Sequence, residues 1–178
     1  RSLRLALAEL EVAVELMEHR PWEWGHALLA INPSGELPVL QSEDGATICG
    51  SYAIVEYLAS MAAAQPEGVP DRAIDLSITL IPGEPIEQAE VRRLIDWFHS
   101  KMLMEATLPV IESQVWPLFK AIASEAPDAE VLRAARANLA YHVSYVAWLA
   151  DQRNWLAGTT MSFADLAAAG HLSCLDYL

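Results

Sequence analysis

The sequence is short of everything that ties a chain together covalently or through metal. Its two cysteines, Cys49 and Cys174, lie far apart and lack ligand-like spacing. That argues against a disulfide scaffold and makes a reducing cytoplasm the expected compartment. His19, His26, His99, His142 and His171 show no spacing that pairs them with one another or with the cysteines, so no metal site is expected. Basic residues are scarce as well: 11 Lys and Arg stand against 24 Asp and Glu, a net charge of −13. Binding to phosphate needs clustered cations, and Arg92-Arg93 is too short a cluster, so neither nucleic acid nor an anionic membrane surface is an expected partner. No run of about 18 uncharged apolar residues occurs, which excludes membrane insertion by a helix as an expectation. Arg1 to Glu9 is charged and amphipathic, unlike a signal peptide with its apolar centre.

What the chain does have is apolar mass. Over 178 residues, 53% are hydrophobic, enough for one large or two small domains. Leu3, Leu7 and Leu10 recur at helical spacing, predicting a first helix, and Val12, Val14 and Leu16 then alternate with Ala13, Glu15 and Met17 as a strand would. A helix followed by a strand implies an earlier strand if the unit is a parallel crossover, so both ends of the natural protein are expected to extend past Arg1 and Leu178. Pro21 opens a brief helix to Ala30; strands follow at Pro38 to Gln41 and Thr47 to Cys49, joined by an Asp44-Gly45 turn, and a helix runs from Ser51 to about Ala63. This first part, residues 1–64, reads as a small α/β layer. Pro66, Pro70, Pro82 and Pro85 with Gly68 and Gly83 mark a linker over 65–85. Residues 86–178 read as all-helical: Ile86 to Thr107, Pro109 to Ser124, Ala129 to Ala150, and Ser162 to the end. Val91, Leu94, Ile95 and Phe98 form the stripe of a core-facing helix.

Chemistry is most legible between Ile31 and Leu58. Asn32, Pro33 and Gly35 are turn formers, and Leu37-Pro38 is pushed extended because the residue before a proline avoids the α region. A cis peptide there would leave the N–H and C=O of Leu37 for a peptide-like ligand. Ser51 stands where a helix N-cap would be, and a helix N-terminus favours a carboxylate or phosphate. Elsewhere the residues allow two readings. Trp22 and Trp24 are either partly buried packing residues or exposed anchors for a partner. His99, Met102 and Met104 either line a substrate cleft or pack in a core. Tyr141, Tyr145, Trp148 and Trp155 are expected as core between helices, Asp96 and Glu105 as solvated charges, and Ser162 with Asp165 as a capping box.

Three motifs occur in order: Asn32-Pro33-Ser34-Gly35-Glu36-Leu37-Pro38-Val39-Leu40, Ser51-Tyr52-Ala53-Ile54-Val55-Glu56-Tyr57-Leu58, and Gly158 with Ser162-Phe163-Ala164-Asp165. Together they resemble the glutathione transferase superfamily. The resemblance implies a two-domain fold, an α/β thioredoxin-like N-terminal domain and an all-α C-terminal domain, usually in a homodimer. It further implies that Leu37 pairs its backbone with glutathione beside a cis Pro38, and that Gly50 and Ser51 meet the γ-glutamyl end. Family members that bind glutathione well carry Glu or Gln where this chain has Gly50, so weak or absent glutathione binding is expected. The family's activating Ser, Cys or Tyr would fall before Arg1, and no catalytic residue is assigned; Ser2 reads as an ordinary helix residue.

A narrower likeness rests on Arg92-Arg93-Leu94-Ile95-Asp96-Trp97-Phe98-His99, Arg133-Ala134-Ala135-Arg136-Ala137-Asn138-Leu139, Arg153-Asn154-Trp155-Leu156-Ala157-Gly158 and His171-Leu172-Ser173-Cys174-Leu175-Asp176-Tyr177-Leu178. These resemble the glutathione-transferase-like cell-division factors of alphaproteobacteria, the FzlA family, which implies FtsZ filaments as partner. The alternative is an enzyme that conjugates glutathione to an electrophile.

Overall fold

The computed structural model describes residues 1–20, 25–63, 79–115 and 128–176. The chain divides into two compact units, Ala6–Leu80 on one side and Arg1–Leu5 with Ile81–Leu178 on the other.

Helix α1, Ser2–Glu9, forms where the leucine spacing predicts it, with Ala6, Leu7 and Leu10 buried. It ends without glycine. Glu11 adopts φ 53°, its N–H donates to Ala8 C=O at 3.1 Å, and Val12 N–H reaches back to Leu7 C=O at 2.9 Å, which satisfies the last carbonyls. The strand expected over Val12 to Met17 is not formed, and Val14, Leu16 and Met17 are exposed. Alternation supplies a strand's pattern, but a strand persists only with a hydrogen-bonded neighbour, and the one ladder among the described residues joins two other segments.

Those segments are β1, Val39–Gln41, and β2, Thr47–Cys49, antiparallel with Val39 opposite Cys49, Leu40 opposite Ile48 and Gln41 opposite Thr47. The turn between them closes through Gly45 N–H to Ser42 C=O at 3.0 Å, with Gly45 at φ 89°. Asp44 accepts from the Ser42 hydroxyl, and this bond, then the Ala46 amide, holds its carboxyl below the usual range. Helix α2, His26–Ile31, precedes this hairpin, and α3, Ser51–Ala63, follows it and packs on both strands, with Ile54, Val55 and Leu58 buried.

In the helical unit α4, Pro85–Asp96, starts with proline in its first turn and with Glu87 Oε2 accepting the Glu84 N–H at 2.8 Å. Val91, Leu94, Ile95 and Phe98 are buried, as their spacing requires. The helix expected to run unbroken to Thr107 changes its hydrogen-bond period: Trp97–Thr107 is a π-helical segment, followed by α5, Leu108–Gln114. Leu108 N–H still donates five residues back, to Leu103 C=O, and Pro109 brings no N–H of its own. The C-terminal part of the predicted Pro109 to Ser124 helix lies outside the described residues. Helix α6, Ala129–Gln152, is capped by Asp128, whose carboxylate accepts Glu130 N–H at 2.8 Å. Helix α7, Phe163–Asp176, buries Phe163, Ala164, Leu166, Ala167, Ala168, Gly170 and His171. Among the described residues no helix is long and apolar enough to cross a membrane.

Ahead of α7, the carboxylate of Asp165 accepts the Ser162 N–H at 3.0 Å and the Leu156 N–H at 2.8 Å. The expected capping box is half present, because the Ser162 hydroxyl donates to that same carboxylate, at 3.1 Å, instead of accepting a backbone N–H. A second acid also ties helices together. Glu90 takes two bonds from Arg93, at 2.7 and 2.9 Å, and one from Arg153 at 2.7 Å, and the guanidinium of Arg93 chiefly holds the Glu90 carboxyl down to about 2.

The aromatic cluster departs from expectation. Trp148 is 55% exposed, Tyr141 58% and Trp155 42%, so they form no core between helices. Residues 141, 145 and 148 follow helical spacing, but the buried positions of α6 are Ala135, His142 and Leu149, a different face. Aromatic size favoured burial; the phase of the helix decided otherwise.

Candidate functional site

The site begins with Asn32, at the C-cap of α2. Its N–H donates to Leu28 C=O at 2.7 Å, while its buried side chain organises the next four residues. Asn32 Nδ2 donates to Glu36 C=O at 2.8 Å, and Oδ1 accepts the Ser34 hydroxyl at 3.1 Å and its N–H at 3.3 Å. Gly35 turns the chain at φ 69°, which glycine permits. This loop delivers Leu37-Pro38, whose peptide is cis. Sequence reasoning recognised Asn32 only as a turn former; an asparagine two residues before a serine and three before a glycine was the available signal for its bridging role.

Pro38 and Gly50 are brought together. Gly50 N–H donates to Pro38 C=O at 3.0 Å, continuing the ladder one step past the Val39–Cys49 pair. Gly50 has φ 89°, a left-handed conformation that disfavours any side chain, yet a Cβ built there meets nothing within 4 Å. Its carbonyl accepts the Ile54 N–H at 3.1 Å, so Gly50 is the N-cap of α3. Ser51, expected at the N-cap, is instead the first helical residue. The first turn of α3 contains no acidic residue, and the Ser51 hydroxyl has no hydrogen bond among the described residues. Amides without intrahelical partners, a free hydroxyl and the positive end of the helix dipole therefore converge beside Gly50. Leu37, 42% exposed, lies on the other side of the Pro38–Gly50 bond.

This arrangement suits an extended peptide ending in a carboxylate. The backbone of Leu37 and the Ser51 hydroxyl at the α3 terminus are the groups such a ligand would meet. A cationic group on that ligand would find no side-chain acceptor at Gly50.

The other candidates do not gather into a pocket. Met102 is fully buried and Met104 is 62% exposed. His99 is half-buried, with Nε2 3.2 Å from the Ser2 hydroxyl and its ring edge-on to Phe163. Burial lowers its pKa. His171 Nδ1 lies 2.9 Å from the Thr107 hydroxyl, and burial, then the nearby His99, push its pKa down to about 4. Ser2 is a helix residue, as expected, and sits so close to α7 that a Cβ at Gly170 would lie 2.8 Å from its Oγ. Asp96 and Glu105 are surface charges that accept from Ser100 and Lys101 respectively. Trp22 and Trp24 lie outside the described residues. Among the described residues, no three His, Cys, Asp or Glu side chains come together to hold a metal ion.

Comparison with known proteins decides the lineage. The family described as Glutathione S-transferase, N-terminal domain matches residues 1–61, and the one described as Glutathione S-transferase, C-terminal domain matches residues 98–178. FtsZ-localized protein A of Caulobacter vibrioides is 34% identical over 99% of this chain and 72% of its own length. The chain belongs to the glutathione S-transferase superfamily. A crystal structure of a glutathione S-transferase from Rhodospirillum rubrum is 39% identical, with a TM-score of 0.85 over 99% of this chain and 72% of that one. The structure of FzlA from C. crescentus is 33% identical, also with a TM-score of 0.85, over 99% of this chain and 73% of that one. The hairpin and most of α3 thus lie within the residues matched by the N-terminal family model, α5, α6 and α7 lie within those matched by the C-terminal one, and the resemblance to FzlA holds over 99% of this chain.

Proposed function

We propose that the protein is a glutathione-transferase-fold scaffold that acts in bacterial cell division by binding FtsZ filaments in the cytoplasm, as a homodimer, with weak or no glutathione binding. The observation that carries this reading is the end-to-end likeness to FtsZ-localized protein A, a protein named for its place with FtsZ. The residue at the γ-glutamyl end of the cradle agrees with it. Glycine at position 50 leaves the ammonium of glutathione without a charged or amide partner, and one charge-assisted hydrogen bond contributes about 1.5–3 kcal/mol. Trp22 and Trp24 remain the proposed anchors for the filament, two large aromatics within four residues.

A second reading is supported by the same site: a transferase that conjugates glutathione to an electrophile. In its favour stand the intact Pro38–Gly50 hydrogen bond and the open α3 terminus. Co-sedimentation with FtsZ filaments in the presence of GTP, alongside calorimetry with glutathione, separates the two. Pelleting with filaments and glutathione binding weaker than millimolar is the expected result. Absence from the pellet, with tight glutathione binding and measurable conjugation, reverses the order.

A further inference from the structure

Inside the helical unit two histidines meet where Arg1 and Ser2 are wedged against α7 and the π segment. The rings of His99, on the π segment, and His171, on α7, have centroids 5.6 Å apart. Each is tied to a hydroxyl: His99 Nε2 lies 3.2 Å from Ser2 Oγ of α1, and His171 Nδ1 lies 2.9 Å from Thr107 Oγ1. Arg1 reinforces the joint, since its guanidinium donates to Ser173 C=O at 2.8 Å. Ser2 also abuts Gly170, where a Cβ would come within 2.8 Å of the serine Oγ. The groups that face the pair supply no counter-charge. From α1 comes the α-amino group of Arg1, with the Arg4 guanidinium and the Cys174 thiol of α7 near it; from α6 comes His142; and α7 sets the edge of Phe163 against His99. The carboxylate of Glu105 is engaged by Lys101 and His142 instead. A neutral imidazole has one N–H, whereas an imidazolium has two and a charge. His99 Nδ1 is buried with no hydrogen-bond partner among the described residues, so a proton added there brings an unpaired N–H as well as an unpaired charge. Burial lowers the pKa of His99, and burial, then His99, hold His171 down to about 4. The apolar centre of the unit, with Leu94, Ile95, Phe98, Met102 and Leu149 buried, contains no group that answers to pH. Lifting Arg1 and Ser2 away uncovers His99 and admits the water that a charged ring needs.

We propose that His99 and His171 form an acid-sensitive latch: at neutral pH the uncharged pair holds Arg1 and Ser2 against α7, and proton uptake in mild acid releases them while the helices of the unit stay packed. The closed pair binds protons less readily than free histidine, which titrates near about 6.5. The closed form is therefore fully favoured above about pH 6.5 and loses ground as pH falls, by roughly tenfold per pH unit for each proton taken up. The latch is independent of the hairpin site and does not rest on the reading of FtsZ or glutathione binding.

The test is an NMR titration of the full chain from about pH 7.5 to about pH 5, following the imidazole signals of His99 and His171 and the proton–proton Overhauser contact between Ser2 and Gly170. The expected result is that the contact fades together with the titration of the two rings, at a midpoint below about 6.5, while contacts of Phe98 within the apolar centre persist. In the His99→Gln/His171→Gln double variant the Ser2–Gly170 contact is expected to survive over the whole range. A contact that outlasts titration of both rings in the wild type overturns the proposal, as does one lost over the same pH range in the double variant. Should the double variant fail to fold by circular dichroism, Ser2→Ala takes its place. It keeps both histidines and weakens the closed form by one hydrogen bond, so release, read from the Ala methyl group to Gly170, moves up by roughly half to one pH unit. An unmoved midpoint in that variant overturns the proposal equally.

Discussion

Replacing Gly50 by glutamate tests the reasoning about the cradle most directly. The substitution has two separable consequences. A side chain at φ 89° strains the backbone by about 1–2 kcal/mol, and because the strain is present with or without ligand it appears as lost stability. For a chain of this size that lowers Tm by roughly 2–8 °C. The second consequence is on binding. Nothing lies within 4 Å of the added Cβ, so the new carboxylate has room to reach the ammonium of glutathione. One charge-assisted hydrogen bond of about 1.5–3 kcal/mol strengthens binding roughly tenfold to a hundredfold. Gly50→Ala is the control, with the same strain and no acceptor. Calorimetry at pH 7 with glutathione, paired with a thermal scan, gives both quantities. The expected pattern is a lower Tm in both variants and tighter binding only in Gly50→Glu. If Gly50→Glu binds no more tightly than Gly50→Ala, the missing acceptor is not what limits glutathione binding, and the account of this site fails.

Asn32→Ala removes three side-chain hydrogen bonds and leaves Glu36 C=O without its donor, so it should lower stability by about 1–3 kcal/mol in urea denaturation; an unchanged midpoint would show that the loop holds itself. Gly170→Ala places a methyl group 2.8 Å from Ser2 Oγ and 3.0 Å from its backbone nitrogen, and overpacking of that kind should destabilise by about 1–3 kcal/mol. Chemical denaturation of that variant would refute the close approach of α1 and α7 if it matched wild type. His171 supplies a pH dependence: its folded pKa, about 4, lies below the unfolded value near 6.5, so the unfolded chain binds the proton more readily. Its contribution is full above pH 6.5 and declines as pH falls toward 4. His171→Gln should be less stable at neutral pH, having lost the ring's fit, but with a shallower decline over that window. Parallel slopes for the two proteins would count against a buried neutral His171.

The parts of this protein read correctly from sequence are those governed by local rules. The stripe Val91, Leu94, Ile95 and Phe98 is buried because helical period alone places those side chains together. The hairpin between Val39 and Cys49 follows from its turn residues, α3 from its apolar period although its N-cap is Gly50 and not Ser51, and the cis peptide at Leu37-Pro38 from a motif contiguous in the chain. What failed depended on neighbours remote in sequence. Val12 to Met17 has a strand's alternation and no ladder partner among the described residues, and Trp148 has a core residue's size on a helix whose buried face points elsewhere. The change of hydrogen-bond period at Trp97 left no signal in the apolar pattern, which suits either helix.

By itself, the sequence determined the lineage, the hairpin and the glycine at position 50 that offers no side chain, because turn chemistry, helical period and the identity of a single side chain are all local properties. Only the tertiary structure decided that Gly50 sits at φ 89° and bonds to Pro38, that Asn32 braces the loop, and that Tyr141 and Trp148 of α6 face water. Each of those depends on which distant backbone or side chain arrives alongside, and packing, not pattern, supplies the partner.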